Sequence, residues 1–117
     1  MYERKIPKEL DCGMGVIMDI IGGKWKPCLI FNIMSGQYRP SQLQALNPLA
    51  TRKVLNQQLK ELQEHGVITK TILPPKVEYH LTELGESLLP VIKMMDQWGA
   101  SYMSNPTKIP VLEKELM

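Results

Sequence analysis

The chain is poor in the residues that build metal centres and disulfide frameworks. It has two cysteines and two histidines in 117 residues. Cys12 and Cys28 have no histidines at companion spacing, which argues against a zinc site. His65 and His80 are isolated, so neither a metal nor a catalytic partner is expected for them, and no cofactor is expected. No apolar run approaches the roughly 20 residues that a membrane-spanning helix needs. The opening Tyr2-Glu3-Arg4-Lys5 is polar and charged with no apolar segment behind it. The expectation is therefore no signal peptide, no membrane association and a cytoplasmic location, where a structural disulfide is not expected.

A strong charge of either sign is also missing: the net charge is +2. Its distribution says more than its size. Residues 1–36 carry five Lys/Arg against four Asp/Glu, residues 37–80 six against three, and residues 81–117 three against five. The positive surplus thus falls on the middle of the chain, where phosphates would be met if nucleic acid is the partner. With 44% hydrophobic and 22% charged residues, the composition is that of an ordinary globular protein. The length suits one domain with a real core and is too short for two.

Along the chain, Gly13 to Ile21 reads as a helix stopped by Gly22-Gly23. A second helix is expected over Trp25 to Met34, with Pro27 tolerated in its first turn and Leu29, Ile30, Ile33 and Met34 on its apolar face. Tyr38-Arg39 is read as a short strand. Pro40 and Ser41 open a third helix to about Leu46, with Leu43 and Leu46 pointing inward. Asn47-Pro48 makes the turn, since a residue before proline is pushed out of helical geometry. Thr51 is the expected N-cap of a fourth helix reaching His65-Gly66, where Gly66 supplies a left-handed stop. Leu55, Leu59 and Leu62 line its buried side.

Residues 67–73 are apolar and β-branched, and Val77, Tyr79 and Leu81 alternate with Glu78 and His80. This predicts a hairpin with Pro74-Pro75-Lys76 at its tip. Thr82 caps a last helix, which Pro90 should kink or split. That helix carries a long apolar stripe from Leu84 to Tyr102. The fold class is α+β, mostly helical: a winged helix-turn-helix with N- and C-terminal helices available for dimerisation.

The fourth helix leaves Arg52, Lys53, Asn56, Gln57 and Lys60 on its exposed side. Solvated faces of this kind are ordinary on amphipathic helices. Here the short helix before, the hairpin after and the absence of acid until Glu61 favour the major groove of double-stranded DNA. Arg52 and Lys53 suit guanine O6/N7 or phosphate, and Asn56 and Gln57 suit adenine. Thr51 can cap the helix and touch a phosphate. Lys76 at the wing tip would reach the DNA backbone or minor groove, and Lys24, Lys26 and Arg39 are weaker phosphate candidates.

Several segments together carry a family resemblance. They are Cys12, the run IGGKW (Ile21 to Trp25), Lys53-Val54-Leu55, LKELQEHGVI (Leu59 to Ile68), PPKVEYHLTELGESLLPV (Pro74 to Val91) and Trp98-Gly99. Over residues 12–103 the chain resembles the HxlR-type winged helix-turn-helix regulators, relatives of the MarR-like proteins. Residues 1–11 are then an N-terminal extension and residues 104–117 a tail. The resemblance implies a transcription regulator, not an enzyme, that acts as a homodimer on a palindromic operator. The chain departs from the family pattern in having Gly13 after the cysteine, and Asn47-Pro48-Leu49-Ala50 in place of a glycine-containing turn.

Several relatives of this type sense diamide, quinones, aldehydes or hypochlorite through a cysteine at the position of Cys12, so a small electrophile or oxidant is the effector implied. Helix position and Lys8 favour its thiolate, while Asp11 opposes it. A bridge from Cys12 of one subunit to a cysteine of another stays open. Cys28 is read as a core residue, and Met18, Met34, Met94, Met95 and Met103 as packing residues. The stripe of Leu88, Val91, Ile92, Met95, Trp98 and Tyr102 is the expected dimer interface. The competing readings are a winged helix for protein contact without DNA readout, which Arg52 and Lys53 count against, and a thiol enzyme using Cys12, for which no recognisable frame is visible.

Overall fold

The computed structural model describes residues 12–105. The expected extension (1–11), most of the tail (104–117), and the Cys12 neighbours Lys8 and Asp11 lie outside them. Eight elements follow in order: α1 (Gly13–Ile21), α2 (Lys26–Met34), α3 (Pro40–Leu46), α4 (Arg52–Glu64), β1 (Ile68–Leu73), β2 (Lys76–Leu81), α5 (Glu83–Ser87) and α6 (Leu89–Ser104).

The core centres on α2. Leu29, Ile30 and Ile33 are almost fully buried, and α2 packs against α3, α4, α6 and β2. Its buried stripe runs Lys26, Leu29, Ile30, Ile33. Cys28 lies off that stripe and is exposed, which corrects its assignment to the core. Leu43 is buried as expected, but Leu46 is 52% exposed. Asn47 takes the inner position instead, its side-chain amide donating to Asn32 Oδ1 at 2.9 Å and Leu43 O at 2.8 Å. Leu55, Leu59 and Leu62 all face the core.

Caps fix the boundaries. Thr51 Oγ1 accepts from the Val54 N–H at 3.1 Å, satisfying one free donor at the start of α4. Gly66 ends the helix at φ +77, a conformation that costs glycine nothing. Thr82 then ties the end of the hairpin back to this stop. Its N–H donates to Val67 O at 3.0 Å, its hydroxyl donates to Gly66 O at 2.6 Å, and its Oγ1 accepts from the Gly85 N–H at 3.0 Å. A Cβ on Gly85 would lie 2.1 Å from Val67 O, so that crossing requires glycine. Pro90 falls in the first turn of α6, and the last helix is split in two at Leu88.

β1 and β2 form a two-stranded antiparallel sheet running from Ile68↔Leu81 to Leu73↔Lys76. Pro74 and Pro75, joined by a cis peptide bond, make the turn. Tyr38 and Arg39 form no strand: Pro40 starts α3 at once, and Tyr38 O accepts a single bond, from the Tyr79 N–H at 2.7 Å.

One flank of α4 is locked to the α1–α2 corner. Gln58 Oε1 accepts from the Trp25 N–H at 2.9 Å, and Lys26 Nζ lies 2.9 Å from Glu61 Oε1. His65 Nδ1 is 3.0 Å from Glu61 O, and its Nε2 faces Asp19 Oδ2 at 3.4 Å. Both of those facing atoms are buried and have no hydrogen-bond partner. Lys26, whose side chain is 6% exposed, is therefore a structural cation and not a phosphate ligand.

The Lys26 hydrogen bond, followed by that from Gln57, holds the Glu61 carboxyl below its ordinary range. The stabilisation it brings is in place at neutral pH and is lost as pH falls through that lowered folded value. The two partners are unequally buried, so their removal is unequal too. Glu61→Ala strands a buried ammonium and should cost about 3 kcal/mol, whereas Lys26→Met leaves a carboxylate that water reaches and should cost about 1 kcal/mol. Urea denaturation at pH 7 checks this, and the difference between wild type and Lys26→Met should shrink in acid.

Candidate nucleic-acid interface

With α4 held along that flank, the side chains opposite it are committed to solvent. Thr51, Arg52, Lys53, Asn56, Gln57 and Lys60 are all exposed. The first turn of α4 contains no acidic residue, so the positive end of the helix dipole is not offset there. Gln57 is less free than its neighbours, because its Nε2 donates to Glu61 Oε2 at 3.1 Å.

The wing closes one side of this face. A cleft between α3, α4 and the hairpin is lined by Gln44, Arg52, Asn56, Lys60, Lys70 and Tyr79 among others. Burial raises the pKa of the Tyr79 phenol, so it stays neutral. A second hollow joins the start of α3 to the wing tip, and Arg39, Ser41, Arg52, Pro75 and Lys76 line it. Arg39 is also 4.0 Å from Glu78, whose carboxyl is lowered first by its hydrogen bond to His80. The structure thus brings Arg52, Lys76 and Arg39 around one hollow. Lys24 stands apart, with its Nζ 5.2 Å from the Trp25 ring centroid.

Lys70 was missed by the sequence reading. Strand alternation puts it in phase with buried Ile68, but every residue of β1 after Ile68 is exposed. The wing has left the core by that point, and alternation carries no signal there.

A family model described as HxlR-like helix-turn-helix matches residues 20–107. The chain belongs to this family. YkvN of Bacillus subtilis (strain 168), an HTH-type transcriptional regulator, is 43% identical over 98 residues, covering 81% of this chain and 83% of that protein. Among solved structures, the HTH-type transcriptional regulator ytcD superposes with a TM-score of 0.75 at 38% identity, over 80% of this chain and 99% of that one. The redox regulator HypR in its oxidized form gives 0.73 at 38% identity, over 77% and 96%. This HxlR-like chain is a winged helix among helix-turn-helix transcription regulators, a DNA-binding class and not an enzymatic one. No helix among its described residues is long and apolar enough to cross a membrane.

The remaining candidates fall outside this exposed face of α4. Cys12 is exposed and is the N-cap of α1, its Sγ accepting from the Gly15 N–H at 3.4 Å. On α6, Val91 is 38%, Met95 43% and Trp98 68% exposed. Trp98 stacks on half-buried Tyr102 with ring centroids 5.3 Å apart. Ile92, 3% exposed, belongs to the chain's own core, and half-buried Leu88 packs against that core. Neither is free for an interface in the way the apolar stripe suggested. The stripe is wider than one face, so its inner edge is already covered. The methionines expected to pack are mostly uncovered: Met18 is 55%, Met94 66% and Met103 73% exposed, with only Met34 half-buried.

Proposed function

We propose that this HxlR-like chain is a sequence-specific regulator that binds a palindromic operator as a homodimer. The observation that carries the proposal is the exposed row from Thr51 to Lys60, set beside the wing cations on a helix whose opposite flank is locked. In this reading Arg52 reads guanine and Asn56 and Gln57 read adenine, Gln57 by giving up its bond to Glu61. Lys53, Lys60 and Lys76 meet phosphates, and Thr51 uses the hydroxyl hydrogen that its cap leaves free.

The homodimer rests on the uncovered apolar side chains of α1 and α6: Met14, Met18, Val91, Met95 and Trp98. A second copy buries them and presents two reading helices about 34 Å apart, one turn of DNA. A single module reads too few bases for operator-level specificity. Sedimentation at micromolar concentration should show twice the monomer mass, and Trp98→Glu should return it to the monomer. A wild-type monomer at that concentration would contradict the dimer.

Cys12 is the proposed sensor of a small oxidant or electrophile. The support is its exposure, its place as the N-cap of α1, and the likeness to redox regulator HypR. Its exposed thiol is open to pairing with a cysteine of another subunit.

Gel shift against the region upstream of the coding sequence tests the whole reading. Arg52→Ala should weaken operator binding by about 1–3 kcal/mol and relax preference at one base position; equal loss on all sequences would reassign Arg52 to phosphate. Cys12→Ser should bind as wild type but no longer respond to diamide, and a response that persists would clear this thiol. Absence of any duplex preference in wild type would instead favour a protein-contact module.

A further inference from the structure

The turn that leads into α4 holds a leucine out in water. Leu49 is 87% exposed, the highest value among the exposed large hydrophobics of the described residues. A mobile loop would be expected to tuck such a side chain away, since burying it is worth more than leaving it wet. This turn is not free to do so. On one side Asn47 is buried and bonded to Asn32 and Leu43. On the other, Ala50 is 6% exposed, its N–H donates to Asn47 O at 3.1 Å, and its carbonyl accepts from Gln44 Nε2 at 2.8 Å. Leu49 sits between two anchored residues and is presented outward.

Its position gives the outward orientation a use. Leu49 lies two residues before the N-cap Thr51 and three before Arg52, at the end of α4 that enters the groove. Residues at the N-terminal end of a reading helix meet base edges, and the major-groove edge of thymine carries a C5-methyl group that apolar side chains contact. Neither a phosphate nor a guanine edge offers Leu49 anything comparable.

The geometry points to Leu49 as a specificity residue that reads a thymine methyl at the margin of each half-site, beside the base contacted by Arg52. This rests on the operator reading above and deepens it. A rigid turn has little conformational entropy left to lose on binding, so the contact is pre-organised. Leu46, 52% exposed at the end of α3, borders the same turn and would limit water access to the contact.

The test needs the preferred duplex, selected by wild-type protein from a random library, with each thymine then replaced in turn by uracil, which lacks only the methyl. Wild type should lose roughly fourfold at one symmetric thymine per half-site, and roughly fifteenfold when both are changed, the value of burying about one methyl each. Leu49→Ala should bind the thymine duplex more weakly by a similar factor and be indifferent to uracil. The thermal melt of Leu49→Ala should match wild type, because the side chain touches little of the protein. Selective binding by wild type with no thymine sensitive to uracil overturns the inference and leaves the operator reading standing. So does a Leu49→Ala loss that is equal on thymine and uracil duplexes, which would assign the residue to the sugar–phosphate backbone. No selective binding by wild type at all defeats the operator reading itself.

Discussion

Everything the exposed face of α4 can do depends on how the helix is gripped from behind. Gln58, Glu61 and His65 follow one another at helical spacing along a single flank, and each meets the α1–α2 corner: the Trp25 amide, the Lys26 ammonium and the Asp19 carboxylate. The leucine stripe alone would let the helix roll, because apolar packing is non-directional. Directional contacts on an adjacent flank remove that freedom. Arg52, Lys53, Asn56, Gln57 and Lys60 then have nowhere to point but outward. The Lys26–Glu61 pair matters most, since its cation is buried and has no alternative in water.

This explains what was legible in the sequence and what was not. Caps and periodicity are local, so α1, the α4 leucines, Thr51, Gly66 and a break of the last helix near Pro90 could be read from the sequence alone. The roles of Lys26 and His65 could not, because their partners come from a different element and nothing in either segment names them. Lys26 looked like one more surface cation until Glu61 was seen across from it. Leu46 and Cys28 failed for a related reason. Each is apolar and close to a buried stripe, and only the packed structure shows that Asn47 and the Lys26–Ile33 stripe already occupy the inner positions.

The surface away from α4 has a different logic. The methionines of α1 and α6, with Trp98, leave several large apolar side chains of two helices open to water. The motif IGGKW joins the two regions, since it ends α1 and starts the corner that grips α4. Asp19, on the same helix as Cys12, faces His65 at the end of α4. The same helix that would meet a second copy also helps to set the angle of α4.

The most direct measurement is a map of backbone amide shifts as a duplex carrying the selected operator is added to isotopically labelled protein. Changes should concentrate at Thr51 through Lys60 and at Lys70 and Lys76, while Trp25 and His65 stay put because the grip behind the helix is unchanged. Shifts confined to α1 and α6, with residues 51–60 silent, would contradict the account.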